Sequence, residues 1–125
     1  MTRDPREYDH EFTSPIRHRS RRRIGYSHDR GTVTRFVVQL EYWTQEGWTE
    51  VVRFDHDPES DHGHDVSEDG VHLDVYRNGR KYRTTGVFPP MTPAEALTFA
   101  EDHLTAHAER YLTRFERWHG LQRDR

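Results

Sequence analysis

Residues 32–56, TVTRFVVQLEYWTQEGWTEVVRFDH, decide the fold. Two runs rich in β-branched and aromatic residues flank Gln45-Glu46-Gly47, the composition of two strands joined by a tight turn. A three-residue loop with Gly47 in the left-handed position sets Tyr42 opposite Glu50, Leu40 opposite Val52 and Val38 opposite Phe54. That register gathers Phe36, Val38, Leu40, Val52 and Phe54 on one face, whereas a slip of one residue scatters them over both. Arg35, Gln39, Glu41, Arg53 and Asp55 are then left on the other face.

Downstream, VHLDVYRNGRKYRTTG (residues 71–86) is a second hairpin, because Asn78-Gly79 between alternating apolar residues specifies a type I′ turn. A two-residue loop places Val75 opposite Tyr82, Asp74 opposite Arg83 and Leu73 opposite Thr84. Val71, Leu73, Val75 and Tyr82 form its core face; His72, Asp74, Tyr76, Lys81 and Arg83 form the other. Residues 89–120 then read as a helix. Thr92, Pro93 and Glu95 make an N-cap, a first-turn proline and a capping box. Leu97, Ala100, Leu104, Ala108, Tyr111, Phe115 and Trp118 form an amphipathic stripe, and Gly120 is a C-terminal stop.

Upstream, residues 1–15 carry two prolines and no periodicity, as a flexible arm does. Residues 16–28 read as a charge-guarded edge strand, and SHDRG as a turn with Gly31 at positive φ. The expected architecture is α+β: an antiparallel meander of four or five strands packed on one C-terminal amphipathic helix. A single domain spans residues 16–120, and residues 121–125 form a frayed tail. No second helix covers the sheet's far face, so function is expected there.

The 125 residues suit one domain, but 31% are hydrophobic and 33% charged, so the core must be thin. Without cysteine there is no disulfide, thiolate metal site or thiol nucleophile. No apolar run reaches membrane-span length and no signal-peptide pattern opens the chain, which sets the cytoplasm as the expected location with no membrane partner. The net charge of −3 argues no polyanion partner globally, but its distribution is uneven. RHRSRRR (residues 17–23) is basic, and residues 55–74 are acidic and rich in histidine.

Three chemistries compete for the segment RFDHDPESDHGHDVSEDGVHLDVYRNGRK (residues 53–81). His62, His64 and Asp65 with His72 or Asp74 supply imidazole and carboxylate metal ligands, but no standard spacing is matched, and His103 and His107 lack an H-E-x-x-H context. The preferred site is free of metal and other cofactors. Asp55, His62, His64, His72 and Asp74 serve as acid–base candidates, with Arg53 and Arg83 as anion contacts. The bland alternatives are a solvated loop and an Asp74–Arg83 cross-strand pair. Arg17, Arg19, Arg21, Arg22 and Arg23 are candidate phosphate contacts for nucleic acid.

The segments FVVQLEYW, VVRFDHD, HGHDV, HLDVYRNGRKY and PMTPAEALTFAEDHL resemble a group of small uncharacterised proteins of haloarchaea and GC-rich bacteria. More distantly their order is similar to that of TumE-like toxins of toxin–antitoxin pairs, which have an aromatic-Asp-Asn step, a His-x-His loop and a terminal helix. Asp55, His62 and His64 are the positions that correspond. The resemblance implies a toxin-like, RNA-directed activity, RNA as target and a cognate antitoxin-like partner. The rival expectation is a non-enzymatic module that dimerises or binds a protein through its sheet edge or open face.

Overall fold

The computed structural model describes residues 8–61 and 63–121, so the expectations for residues 1–7 of the arm, for His62 and for most of the C-terminal tail lie outside the described residues. Six strands run β1 (His10–Arg17), β2 (Ser20–Asp29), β3 (Thr32–Thr44), β4 (Gly47–His56), β5 (Val71–Arg77) and β6 (Arg80–Phe88), followed by helix α1 (Pro93–Trp118). They form one antiparallel sheet in the order β1-β2-β3-β4-β5-β6. The helix crosses one face over β3, β4 and β5.

The sheet has six strands rather than four or five because the N-terminal segment folds back on itself. Residues 10–15, read from composition as an arm, pair with residues 21–26, and Arg19 at φ 69° makes the turn. Proline at position 15 is compatible with this strand because β1 is an edge that, among the described residues, has no outer neighbour to receive an N–H. The next turn carries Arg30 and Gly31 at φ 53° and 80°, the left-handed pair a two-residue hairpin demands.

Between β3 and β4 the core register is the expected one, with Leu40 opposite Val52 and Val38 opposite Phe54, yet the route differs. Thr44 pairs with Gly47, so the connection is Gln45-Glu46 alone, and a bulge at Val51 restores the register before Val52. Both neighbours, Val51 and Val52, are buried. The bulge is thus a way of turning two consecutive valines inward.

The Asn78-Gly79 turn is type I′, with φ of 55° and 75°. Beyond Tyr76–Lys81, however, Tyr82 is bulged out, and Val75 faces Arg83, Asp74 faces Thr84 and Leu73 faces Thr85. The expected Asp74–Arg83 pairing is therefore absent, and Tyr82 is half exposed against Trp118 rather than in the core. A single bulged residue transfers Arg83 to the helix side of the sheet.

The core lies between sheet and helix: Ile24, Phe36, Val38, Leu40, Tyr42, Val52, Phe54, Leu73 and Val75 meet Ala96, Ala100, Leu104, Ala108, Leu112 and Phe115. Alanines on the helix let it sit close to the strands. Thr92 caps α1 with a reciprocal Glu95 capping box and Pro93 in the first turn, as the sequence predicts. Among the described residues no helix is long and apolar enough to cross a membrane.

Candidate active site on the open sheet face

Strand alternation turns Arg21, Arg23, Arg35, Gln39, Glu41, Arg53, Asp55 and Asp74 away from the helix. A cavity of about 550 Å³ lies on this face, lined by Tyr8, Arg35, Arg53, Asp55, Asp57, His64, His72, Asp74 and Lys81, among others. It exists because β4 and β5 pair at only two positions, Val52–Val75 and Arg53–Asp74. Past these the strands splay, and the loop of residues 57–70 fills the far end.

Most charges here are engaged. Arg53 donates through Nε to Gln39 Oε1 at 2.7 Å and lies 3.7 Å from Glu50. Gln39 in turn donates to Glu41 at 2.5 Å, and Glu41 accepts from Arg21 at 2.6 Å. Asp74 accepts from Thr84 Oγ1 at 2.8 Å and pairs with Lys81 at 3.3 Å. Asp55 differs: among the described residues no side chain or backbone group hydrogen-bonds to its carboxylate. Burial raises its pKa above the ordinary carboxylate value; Arg53 opposes the rise, Asp74 adds to it, and His64 and Lys81 oppose it further. A half-buried carboxylate without a fixed partner is free to take or give a proton.

The two histidines are held by one turn. His64 donates from Nε2 to the Gly70 carbonyl at 2.7 Å, and His72 donates from Nε2 to the Asp69 carbonyl at 3.0 Å. Their ring centroids are 4.1 Å apart. Using Nε2 as the donor leaves each neutral ring with Nδ1 as acceptor, and Nδ1 of His64 is 4.0 Å from Asp69.

The loop that presents His64 is pinned at Val66, while residues 58–61 and 67–69 are exposed. Val66 is buried, its N–H donates to His56 Nδ1 at 3.1 Å, and its carbonyl accepts from Met91 N. His56 is itself buried against Phe36, and burial lowers its pKa. Asp65 caps the Ser67 turn, accepting from Ser67 N and Oγ, and those bonds hold its pKa down. Both are structural. Among the described residues no three His, Asp or Glu side chains are grouped so as to hold a metal.

Of the candidates read from sequence, Asp55, His64, His72, Asp74 and Arg53 come together around the cavity. Arg83 does not; it lies on the other face. The basic block is divided by alternation. Arg17 pairs with Glu109 and Glu116, and Arg22 donates to Thr105, all toward the helix. Arg21 and Arg23 pair with Glu41 and Glu11 on the open face, and Arg19 donates to the Trp43 carbonyl in the turn.

Sequence reasoning passed over Tyr8. Its ring lies against Gly25, where a Cβ would stand 2.7 Å from Cδ2, and the Arg35 guanidinium sits 4.2 Å from the ring centroid on the cavity side. Burial raises its pKa, with Arg35 opposing. The signal was Gly25 inside a strand, which marks close approach by another group.

Fold and site together define a small antiparallel sheet-and-helix protein with a charged cavity on its uncovered face. The chain belongs to the DUF7718 family, a domain of unknown function whose family model matches residues 5–121. Neither the curated proteins nor the solved structures contain a match.

Proposed function

We propose that the open face is an acid–base active site for a phosphate-bearing polar substrate, that RNA is that substrate, and that the protein is toxin-like. The observation that carries this reading is Asp55, a half-buried carboxylate without a hydrogen-bond partner among the described residues. In the proposed reaction Asp55 takes the proton of an RNA 2′-hydroxyl. The oxygen attacks the adjacent phosphorus, and the 5′-oxygen leaves with a proton from the imidazolium of His64 or His72. The products are a 2′,3′-cyclic phosphate and a 5′-hydroxyl. Arg53 and Lys81 offset the charge that builds on the phosphate oxygens.

The test is incubation of end-labelled RNA with purified protein in chelator. Expected are cyclic-phosphate products, no cleavage of the matching DNA, and a loss of 100-fold or more in Asp55→Asn, the usual scale of general acid–base catalysis at about 10²–10⁴. Intact RNA, or equal cleavage by Asp55→Asn, refutes it. In cells, expression without a cognate neutralising protein slows growth, and Asp55→Asn or His64→Ala relieves it while folded protein stays abundant.

The second reading, a protein-interaction or dimerisation module, draws on the uncovered edge strand β6. Tyr82 there is 50% and Val87 69% exposed. A dimer in sedimentation that Val87→Lys abolishes favours this reading.

A further inference from the structure

On the helix side of the sheet, the edge strand β6 touches α1 at two places, Tyr82 on Trp118 and Phe88 on Phe99, and the seam between those contacts is a groove edged by arginines. Arg83 rises from β6, Arg77 from the end of β5, and Arg110 and Arg114 from α1. Unlike the arginines of the open face, none of these four lies within ion-pair distance of a carboxylate among the described residues. They rest on aromatic rings instead. Arg77 is 4.8 Å from the Trp118 ring centroid and Arg83 5.5 Å from that of Tyr82. Arg114 is 4.9 Å from that of Trp118. One of its guanidinium nitrogens, Nη2, is buried and unbonded. Tyr82 and Trp118 contact each other at 5.2 Å.

Four unneutralised guanidiniums this close repel one another. Arg83 and Arg110 both act to lower the pKa of Arg114, after burial. Like charges gathered without counter-charge are relieved by an anion, and planar forks beside the half-exposed Tyr82 ring suit phosphates alternating with bases. On the open face Arg53 and Lys81 have carboxylates at 3.7 and 3.3 Å respectively, and each shares its charge between that carboxylate and a bound phosphate.

We propose that the α1–β6 groove binds single-stranded nucleic acid, with Arg77, Arg83, Arg110 and Arg114 on phosphates and the half-exposed Tyr82 stacking a base. The groove lies across β6 from the cavity: Lys81 and Arg83 point to opposite faces of the same edge strand. A chain bound in the groove reaches Asp55 by rounding that one strand. The proposal extends the RNA reading of the cavity but does not depend on turnover there.

The experiment is fluorescence anisotropy with a labelled 12-nucleotide single-stranded RNA and the matching DNA, using Asp55→Asn protein so that cleavage plays no part. Expected is binding at low salt that weakens steeply as salt rises, with a slope near −0.7 per phosphate contact. Arg83→Glu, at an exposed position, weakens it at least tenfold. Arg83→Gln/Arg110→Gln lowers the slope by about 1.4, two contacts' worth. Tyr82→Ala weakens binding about fivefold or more through lost stacking. Arg21→Gln/Arg23→Gln, equal in charge, stays within twofold. A preference for RNA over DNA would mark the 2′-hydroxyl as part of recognition, and equal affinity would mark phosphate and base alone; either supports the groove. No binding at low salt overturns the proposal. So does equal weakening by the Arg21/Arg23 variant, or binding to phosphatidylserine vesicles without binding to either oligonucleotide. RNA cleavage by wild type with groove variants unimpaired in binding would refute the groove and leave the cavity reading standing.

Discussion

Asp55 and His72 line one cavity from the two sides of the splay between β4 and β5: the Arg53–Asp74 register, carried two residues past the last pair, would join 55 to 72. Were the strands paired to their ends, these side chains would be ordinary cross-strand neighbours on a flat sheet. The splay makes room between them and lets the loop of residues 57–70 bring His64 to the same place.

Asp55→Asn raises stability at neutral pH. Burial holds the folded pKa above the ordinary 3.8, so the folded protein binds more protons than the unfolded chain between those two values. Stability from this group is therefore lost as pH rises through the folded value, and the charged carboxylate opposes folding at pH 7. Thermal melts of the two proteins should coincide near pH 3 and diverge upward, with the variant the more stable. A less stable variant at pH 7 would show that the carboxylate supports the fold.

Arg17→Met destabilises the protein by about 2–4 kcal/mol, because it strips Glu116 of its cation in a nearly closed site. Glu116 is buried and, among the described residues, keeps the Tyr42 hydroxyl, which donates to it at 2.8 Å. Arg23→Gln, on a partly exposed pair with Glu11, changes stability by under about 1 kcal/mol. Urea denaturation separates the two. Equal, small effects would restore the basic block as a free surface.

Below pH 6.5 the fold weakens in part through His56. Its folded pKa is depressed by burial, so the unfolded chain protonates first, and stability present above 6.5 is lost as pH falls toward the folded value. His103, also depressed by burial, adds to the slope. His56→Phe leaves the buried Val66 N–H without its acceptor and costs about 1–3 kcal/mol at pH 7.5. The measurement is the slope of stability between pH 7 and 5, which should be shallower in the variant.

The sheet's pairing was legible wherever side-chain alternation carried it. Phe36 to Phe54 can face only one way, and Thr92, Pro93 and Glu95 announce the helix. What escaped notice was local irregularity. Bulges at Val51 and Tyr82 have no composition signature, and the second alone moved Arg83 from the site to the opposite face. Residues 10–15 are mostly exposed because they form an edge strand, and such a strand reads like an arm. His56 resembles the other histidines in sequence; only Val66, buried ten residues on, makes it a structural acceptor.

Gly25→Ala tests whether Tyr8 is a wall of the cavity. A Cβ at 25 would meet the Tyr8 ring at 2.7–2.9 Å, too close for any real contact, so the ring must leave its place. The strand backbone tolerates alanine there, and losing glycine's unfolded-state freedom favours the variant by roughly 0.5–1 kcal/mol. The net change in stability should thus be small, whereas Tyr8 loses the burial that raises its hydroxyl pKa. Ultraviolet titration should show one tyrosine moving down toward 10.0 in Gly25→Ala. A double-mutant cycle isolates the cause. In a Tyr8→Ala background, Gly25→Ala has no ring to displace and should be neutral or mildly stabilising, and any activity lost by the single variants should not be lost twice. An additive cycle would mean that the glycine serves the strand itself and that Tyr8 is not what it accommodates.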